Sequence, residues 1–459
     1  MNKIKYLLLT IINCLLYSFA PNQFDKSFCI LSFVLFLAAV YSIIKDDYKR
    51  FGLVSFNIIF FFSFFLCTYV FPVFLMGSDS VISELLSSFL GSYHTVSRAV
   101  ALCSFAISIY GLGYVLFRSN SGSVNMITKD RIIAKSIYTV TRYVLVILTI
   151  VLLFVNWQYV SIADGEPNIE GFDYLFTLFY LTLPLYFVCS VLIFDMSFSN
   201  GRNKLMNFLK NNKFIISLEV LLIFVFLLLG NRGPVIQIVL IIVAIIMLFV
   251  KRINKKILFS IGMVALLVMF TLRTTRQMDN VSASKGIEEA ASNANSVWDL
   301  FSDLVGINFE LNAGMQYVDE HGYLYPGANF IRYVACPIPR LSTVLVKTFY
   351  GVDIETVSTE QVIKKYTNHS AGNHCVIDVY MCFGVFGVGV VFFLFGLLVA
   401  KISNGMNTFF VGKVYYIYLI SGSLYFPRSS LLYVFRNFVL LYLFILFLRI
   451  LLNSHRKAN

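Results

Sequence analysis

The sequence predicts an all-α polytopic membrane protein, and three observations support that fold class. Of the 459 residues, 58% are hydrophobic and only 13% are charged, whereas about 25% of the residues in a soluble domain are charged. The mean hydropathy is +0.79. The apolar residues also form runs that reach the length of about 20 residues with which a helix crosses a bilayer.

By that length criterion we predict about 12 transmembrane helices and one large outer loop that contains short helices. The predicted spans are residues 5–20, 27–44, 52–76, 98–117, 137–156, 173–195, 214–230, 234–250, 257–272, 376–400, 413–427 and 431–450. They divide the chain into residues 1–272 with helices 1–9, the loop 273–375, and residues 376–459 with helices 10–12.

Lysine and arginine predict the orientation, because cytoplasmic loops of membrane proteins are enriched in both. If the N-terminus is cytoplasmic, the large basic clusters all fall on the cytoplasmic side. The short outer connections then hold only Lys26, Arg98, Arg232 and Arg428. Both termini are therefore predicted to be cytoplasmic and the long loop to lie outside. The net charge of +12 belongs to clusters that set topology, so we predict no nucleic-acid partner.

The loop 273–375 is the one long stretch that lipid would exclude, and loops beyond about 15 residues usually have a function or are disordered. Its many aromatic residues argue for order. Pro337 and Pro339 interrupt any single helix, and Leu341 to Phe349 is predicted as a short helix that ends at Gly351. We expect two or more short helices that cap the outer face.

Arginines at the predicted outer face are candidate phosphate ligands, because the guanidinium group presents a planar fork of donors. Arg232 lies in a Gly-Asn-Arg-Gly-Pro turn between two spans, where a charge is costly and a function is the default hypothesis. The other candidates are Arg273, Arg276, Arg340, Arg428 and Arg436. We expect Arg428 or Arg436 to share a pocket with Arg232. The alternative for each is an interfacial residue that reaches the lipid headgroups.

His374 and Asp378 are the candidate pair for proton transfer. They lie one helical turn apart at the start of the tenth predicted span, so their side chains share a helix face. A histidine whose pKa stays near the ordinary value of about 6.5 accepts a proton at neutral pH, and a carboxylate orients it. The alternative is an interfacial histidine without a catalytic role.

Motifs that would indicate other chemistry are missing. The sequence has no Walker A, HExxH, GxSxG or paired CxxC motif, which argues against an ATP-driven transporter or a zinc protease. Most of the eight cysteines fall in apolar runs and are predicted core residues. We therefore predict no cofactor and no metal site.

Local motifs resemble those of one family. Gly-Asn-Arg-Gly at 230–233 is similar to its Arg-Gly turn between adjacent spans. His374, Asp-Val-Tyr at 378–380 and Gly-Val-Phe-Gly at 384–387 are similar to the opening of the span that follows its large loop. Together with the predicted topology, these motifs resemble the Wzy-type polymerases of O-antigen and capsule repeat units, which are related to the O-antigen ligases.

The resemblance implies a GT-C-like architecture and an inverting, metal-independent glycosyl transfer between oligosaccharides linked to undecaprenyl pyrophosphate. The reaction would take place at the outer face of the bacterial inner membrane. The arginines would neutralise the pyrophosphate, and His374 with Asp378 would take the proton from the attacking hydroxyl. Sugar rings would stack on Trp298, Tyr317, Tyr323 and Tyr325. The implied partners are the lipid-linked substrates, membrane lipid, a flippase and a chain-length regulator.

Other functions stay open on the sequence alone. A flippase for lipid-linked oligosaccharides would suit twelve spans and buried arginines, but the chain shows no halves of matched hydropathy. An O-antigen ligase would share the chemistry and differ only in its acceptor. A purely structural membrane protein is the third alternative. The polymerase is the hypothesis that the motifs favour.

Overall fold

The computed structural model describes most of the chain. The described residues are 3–76, 94–118, 128–160, 172–194, 201–229, 231–250, 254, 256, 301–335, 337–338, 340–368, 372–406 and 409–458. All regular secondary structure in these residues is helical. Seven helices among them are long and apolar enough to cross a membrane. The predicted class of all-α multi-pass membrane protein is therefore confirmed.

The helices before the long loop follow the predicted spans. They are α1 (Lys3–Ser18), α2 (Lys26–Phe51), α3 (Phe56–Thr68), α4 (Val96–Phe117), α5 (Thr128–Val160), α6 (Phe172–Ile193), α7 (Gly201–Leu228) and α8 (Arg232–Ile245). Two of them continue as π-helical turns, α3 over Val70–Leu75 and α8 over Ile246–Val250. The predicted span 257–272 lies outside the described residues.

Short helices occupy the described part of the loop, as predicted. They are α9 (Ser302–Val305), α10 (Ile307–His321), α11 (Pro326–Ala335), α12 (Leu341–Tyr350), a 3-10 turn (Ile354–Thr356) and α13 (Thr359–Thr367). The helix predicted from Leu341 is α12, and the left-handed Gly351 ends it at φ 67°. The chain then forms α14 (Cys375–Gly405), α15 (Phe410–Gly422), a 3-10 turn (Phe426–Arg428) and α16 (Leu431–Ala458).

The candidate membrane-crossing helices are α2, α4, α5, α6, α7, α8 with its π turn, and α14. Shorter apolar helices are α3 and residues 435–448 of α16. Side-chain caps mark several helix starts, because the first N–H groups of a helix have no partner within it. Asp25 accepts hydrogen bonds from the N–H groups of Ser27 and Phe28 at the start of α2, and Ser55 accepts one from Ile58 in α3.

The centre of the bundle is the crossing of α4 and α14. A Cβ atom at Gly113 would overlap the carbonyl oxygen of Phe393, and one at Gly396 would overlap the carbonyl oxygen of Tyr110. Only glycine allows the two backbones to approach so closely, which is the usual packing of small residues between membrane helices. This contact fixes α14, and therefore its N-terminal end, against the first half of the chain.

Helix α14 is broken at Gly384, where φ is 65° and ψ is −165°. The carbonyl oxygen of Met381 accepts a hydrogen bond from the N–H group of Leu324 at 2.8 Å. The ring of Tyr323 lies about 3.2–3.4 Å from the place of a Cβ atom on Gly384. Residues 385–405 alone span about 31 Å at 1.5 Å per residue. The loop therefore packs against the break, and the part of α14 after the break is by itself long enough to cross a membrane.

A buried ion pair holds the opposite end of the bundle. The carboxylate of Asp47, which is fully buried, accepts hydrogen bonds from Arg118 Nη1 at 2.5 Å, from the Tyr114 hydroxyl at 2.7 Å and from Asn57 Nδ2 at 2.8 Å. Arg118 also contacts Asp46 at 2.9 Å. These contacts tie α2, α3 and the end of α4 together.

We predict that Asp47→Ala lowers the free energy of unfolding by about 3–5 kcal/mol, because the buried Arg118 guanidinium loses one of its two carboxylate partners and the buried Tyr114 and Asn57 lose their acceptor. Denaturant titration of the purified protein in detergent measures this loss. The matched control is Asp353→Ala, which removes an exposed ion pair with Lys347 and should cost about 0–1 kcal/mol. Equal losses in the two variants would contradict a structural role for the Asp47–Arg118 pair.

Candidate active site at the N-terminal end of α14

Hydrogen bonds place several helix ends at one end of the bundle. The N–H group of Asp25, before α2, donates to Ser97 Oγ at the start of α4 at 2.9 Å. The amide Nδ2 of Asn308 in α10 donates to the carbonyl oxygen of Thr68 at the end of α3 at 2.9 Å. The hydroxyl of Thr68 lies 3.1 Å from Nε2 of His374, directly before α14. The N-termini of α2, α4 and α14 and the C-terminus of α3 therefore share this end.

Helix α10 lies inside this end of the bundle, which differs from the expected surface cap. Asn312 Nδ2 donates to Asn308 Oδ1 at 2.8 Å, and the hydroxyl of Thr95 donates to Asn312 Oδ1 at 3.3 Å. All of these side chains are buried. Buried polar groups need hydrogen-bond partners, and Asn308 and Asn312 find theirs in the last residue of α3, within α10 and in the residue before α4. The sequence did not show this, because the partners lie more than 200 residues apart.

His374 caps α14 and is fully buried. Its Nδ1 accepts a hydrogen bond from the N–H group of Val376 at 3.2 Å. Since Nδ1 is the acceptor, the neutral ring carries its proton on Nε2, which donates to Thr68. Burial lowers the pKa of His374 to about 3. The ring is therefore neutral, and neither nitrogen has a free lone pair for a substrate proton.

Asp378 is the centre of a buried hydrogen-bonded cluster. Its Oδ1 accepts from the Thr359 hydroxyl at 2.5 Å and from Asn373 Nδ2 at 3.2 Å, and its Oδ2 accepts from the Ser430 hydroxyl at 2.6 Å. Asn373 Nδ2 also donates to Thr359 Oγ1 at 2.7 Å. We call Asp378, Thr359, Asn373 and Ser430 the Asp378 cluster. It joins the start of α13, the approach to α14 and the turn before α16.

Two charged residues that the sequence did not single out adjoin this cluster. Arg332 of α11 donates to the carbonyl oxygen of Val357 at 3.2 Å and to Ser358 Oγ at 3.4 Å. Glu360 follows Thr359 in the first turn of α13 and is half-buried. Burial raises the pKa of Glu360, Arg332 counteracts this, and Asp378 adds to it. The local signal for this region was a Ser with a Gln three residues later, which marks a helix start but no chemistry.

The turns that carry Arg232 and Arg428 meet at Tyr425. Gly233, directly after Arg232, lies so that its Cβ position is 3.9 Å from the Tyr425 hydroxyl. The guanidinium of Arg428 lies 5.7 Å from the centroid of the Tyr425 ring. The carbonyl oxygen of Arg428 also accepts a hydrogen bond from the N–H group of Asn373 at 3.3 Å. The structure thus brings the two arginine-bearing turns together and places Arg428 beside the Asp378 cluster.

Of the other predicted arginines, Arg436 lies in α16 and Arg340 lies directly before α12. Arg436 Nε donates to Asn437 Oδ1 at 3.2 Å within α16. Arg340 is exposed, with a left-handed φ of 61° directly before α12. It belongs to a small lobe formed by α11 and α12, whose own core contains Ala328, Val346 and Val357. Arg273, Arg276 and Trp298 lie outside the described residues.

The predicted sugar-stacking tyrosines differ in their exposure. Tyr323 and Tyr325 are exposed at 53% and 55%, whereas Tyr317 is half-buried and stacks on His321 at a centroid distance of 4.7 Å. The Tyr323 ring also meets the edge of Tyr380 at 5.7 Å. The exposed Tyr323 ring is therefore held at the break in α14. Among the described residues, no three His, Cys, Asp or Glu side chains form a group that could hold a metal ion.

Comparison with known proteins gives a family for the whole chain. Residues 3–459 match the family described as O-antigen polysaccharide polymerase Wzy. None of the curated proteins and none of the solved structures in the comparison matches the chain. The match includes the arginine turn at 232, the long loop and the start of α14, which carried the resemblance in the sequence. The chain therefore belongs to the O-antigen polysaccharide polymerase Wzy family.

Proposed function

We propose that this protein joins oligosaccharide repeat units carried on undecaprenyl pyrophosphate into O-antigen or capsular polysaccharide. The family supports polymerisation of O-antigen repeat units. The observation that carries the finer proposal is the position of Arg428. Its turn lies between the turn of Arg232, reached through Tyr425, and the buried carboxylate of Asp378, reached through Ser430 and Asn373.

The reaction that suits this arrangement is a direct displacement with inversion. A hydroxyl of the acceptor sugar attacks the anomeric carbon of the donor, and the bond from that carbon to the pyrophosphate oxygen breaks. Negative charge then develops on the leaving pyrophosphate. Donors that already point at such a charge are among the largest contributors to catalysis. We assign this role to Arg232 and Arg428, and on the sequence argument alone to Arg273, Arg276, Arg340 and Arg436.

In this proposal the acceptor sugar binds on the side of the site where the Asp378 cluster lies. Because His374 is a buried helix cap, we assign it the positioning of Asp378 and no direct proton transfer in this proposal. The exposed rings of Tyr323 and Tyr325 offer stacking surfaces for sugars. We propose the same stacking role for Tyr317 and Trp298 on the sequence alone.

The proposed topology has twelve spans, cytoplasmic termini and a GT-C-like arrangement, with the site at the outer face of the inner membrane. The helix ends that meet support a bundle in which α2, α3 and α4 cross in alternating directions. Asp25 and Ser97 meet at one end of the bundle, and Asp47 and Arg118 meet at the other. The basic clusters support the orientation. A flippase that delivers repeat units and a chain-length regulator are the proposed partners.

We predict that Arg232→Ala and Arg428→Ala each lower polymer formation by about 100-fold or more, the usual effect of removing one donor to a developing anion. In a deletion strain that expresses the variant, a gel of surface polysaccharide should show single repeat units and no long chains. Lys347→Ala is the control, because it removes an exposed cation on the α11–α12 lobe.

Long chains of normal length from a normally expressed arginine variant would remove that arginine from the mechanism. The same gel separates the alternatives. Loss of a flippase removes all surface sugar, including single units, and loss of a ligase leaves long polymer on the lipid carrier.

We predict that His374→Asn keeps polymer formation, whereas His374→Ala destabilises the protein by about 0.5–2 kcal/mol, because asparagine can still cap α14 and alanine cannot. Thermal unfolding of the purified variants and the polysaccharide gel measure the two effects. If both variants lose polymer to the same extent although only the alanine variant is destabilised, His374 takes part in the proton transfer, and its assignment to positioning alone is contradicted.

A further inference from the structure

The attacking hydroxyl must lose a proton, and the structure limits the groups that can take it. Both ring nitrogens of His374 are engaged with Val376 and Thr68. The carboxylate of Asp378 is fully buried and already accepts three hydrogen bonds from Thr359, Asn373 and Ser430. Neither residue predicted for proton transfer therefore presents a free lone pair at a surface that a sugar hydroxyl can reach.

Most other carboxylates in the described part of the loop are also unsuitable. Asp319 is paired with Arg98, and Glu320 accepts hydrogen bonds from Tyr366 and Gln316. Asp353 and Glu355 form exposed ion pairs with lysines at the protein surface. Glu310 is fully buried within α10. These positions offer either no access for a substrate or no connection with the Asp378 cluster.

Glu360 combines access with position. It is half-buried, so part of the residue is accessible to water. No hydrogen bond from another described residue occupies its oxygens. The two residues before Glu360 fix its position: Ser358 contacts Arg332, and Thr359 donates to Asp378. The start of α13 thus places Glu360 directly after a residue of the Asp378 cluster and two residues after the Arg332 contact.

We propose that Glu360 is the general base of the polymerisation reaction, an inference that rests on the proposed function. Glu360 takes the proton from the acceptor hydroxyl while the oxygen of that hydroxyl bonds to the anomeric carbon of the donor. The bond from the anomeric carbon to the pyrophosphate breaks, and its electron pair leaves with the pyrophosphate. The proton then passes from Glu360 to the surrounding water.

The charges around Glu360 suit this role. The charged groups near enough to influence it are Arg332 from α11, Asp378 from α14 and Lys364 one turn further along α13. Burial and Asp378 raise its pKa, while Arg332 and Lys364 oppose that rise and favour the ionised form. A carboxylate with a raised pKa binds a proton more readily, once it is ionised, than an ordinary carboxylate does.

The test uses the purified full-length protein in lipid vesicles with a lipid-linked repeat unit as substrate. We expect Glu360→Gln to lower the rate of polymer formation by about 100-fold or more, the usual contribution of a general base. Glu360→Asp keeps a carboxylate and should retain part of the rate. Glu355→Gln is the matched control, because Glu355 is an exposed carboxylate on the same part of the loop.

The dependence of the rate on pH gives a second readout. A base acts when it is deprotonated, so the wild-type rate should fall as the pH drops through the pKa of Glu360, which lies above the ordinary glutamate value of about 4.3. The Gln variant should lose this fall and keep a low rate that does not depend on pH in that range. The Glu360→Asp variant and the Glu355→Gln control should both keep the fall of the rate at low pH.

A Glu360→Gln protein with the wild-type rate, or with the same fall of the rate at low pH as the wild-type protein, would overturn the assignment. This readout does not depend on how much of the variant folds, because it follows the shape of the profile. If the wild-type protein forms no polymer from the lipid-linked repeat unit, the proposed function itself fails, whatever the Glu360 variants do.

Discussion

The buried carboxylate of Asp378 is the interaction on which the arrangement of the site depends. A carboxylate removed from water is costly unless donors surround it, and here the donors are Thr359, Asn373 and Ser430. These three residues belong to three segments, and the one that holds Ser430 lies 52 residues from Asp378 in the sequence. Satisfying one charge therefore fixes the start of α13, the approach to α14 and the turn of Arg428 relative to one another.

The break at Gly384 separates the two tasks of α14. Residues after the break are long enough to cross a membrane, and those before it carry Asp378. At the break, the N–H group of Leu324 in the loop donates a hydrogen bond to the carbonyl oxygen of Met381, in place of the bond that a continuous helix would make. Because α10 is also buried among α3, α4 and α14, the described part of the loop is structural support for the site as well as its cover.

The sequence pointed to Arg232, Arg428 and Asp378 as candidates, because a charge beside long apolar runs stands out by its cost. It passed over Arg332 and Glu360, because charges are common in a polar loop and no local spacing distinguishes these two. It gave His374 a role in proton transfer, since sequence shows that a histidine is present but not whether its nitrogens are occupied. The bonds to Val376 and Thr68 decide that question.

The sequence by itself determined that the chain is an all-α membrane protein, where most of its helices lie and which family it resembles. These properties follow from apolar run length, charge and short motifs, all of which are local. Only the tertiary structure decided which polar groups meet. Asp378 and Ser430 are 52 residues apart, and Thr68 and His374 are 306 apart. Such contacts depend on how helices cross, and the close approach at Gly113 and Gly396 sets that crossing.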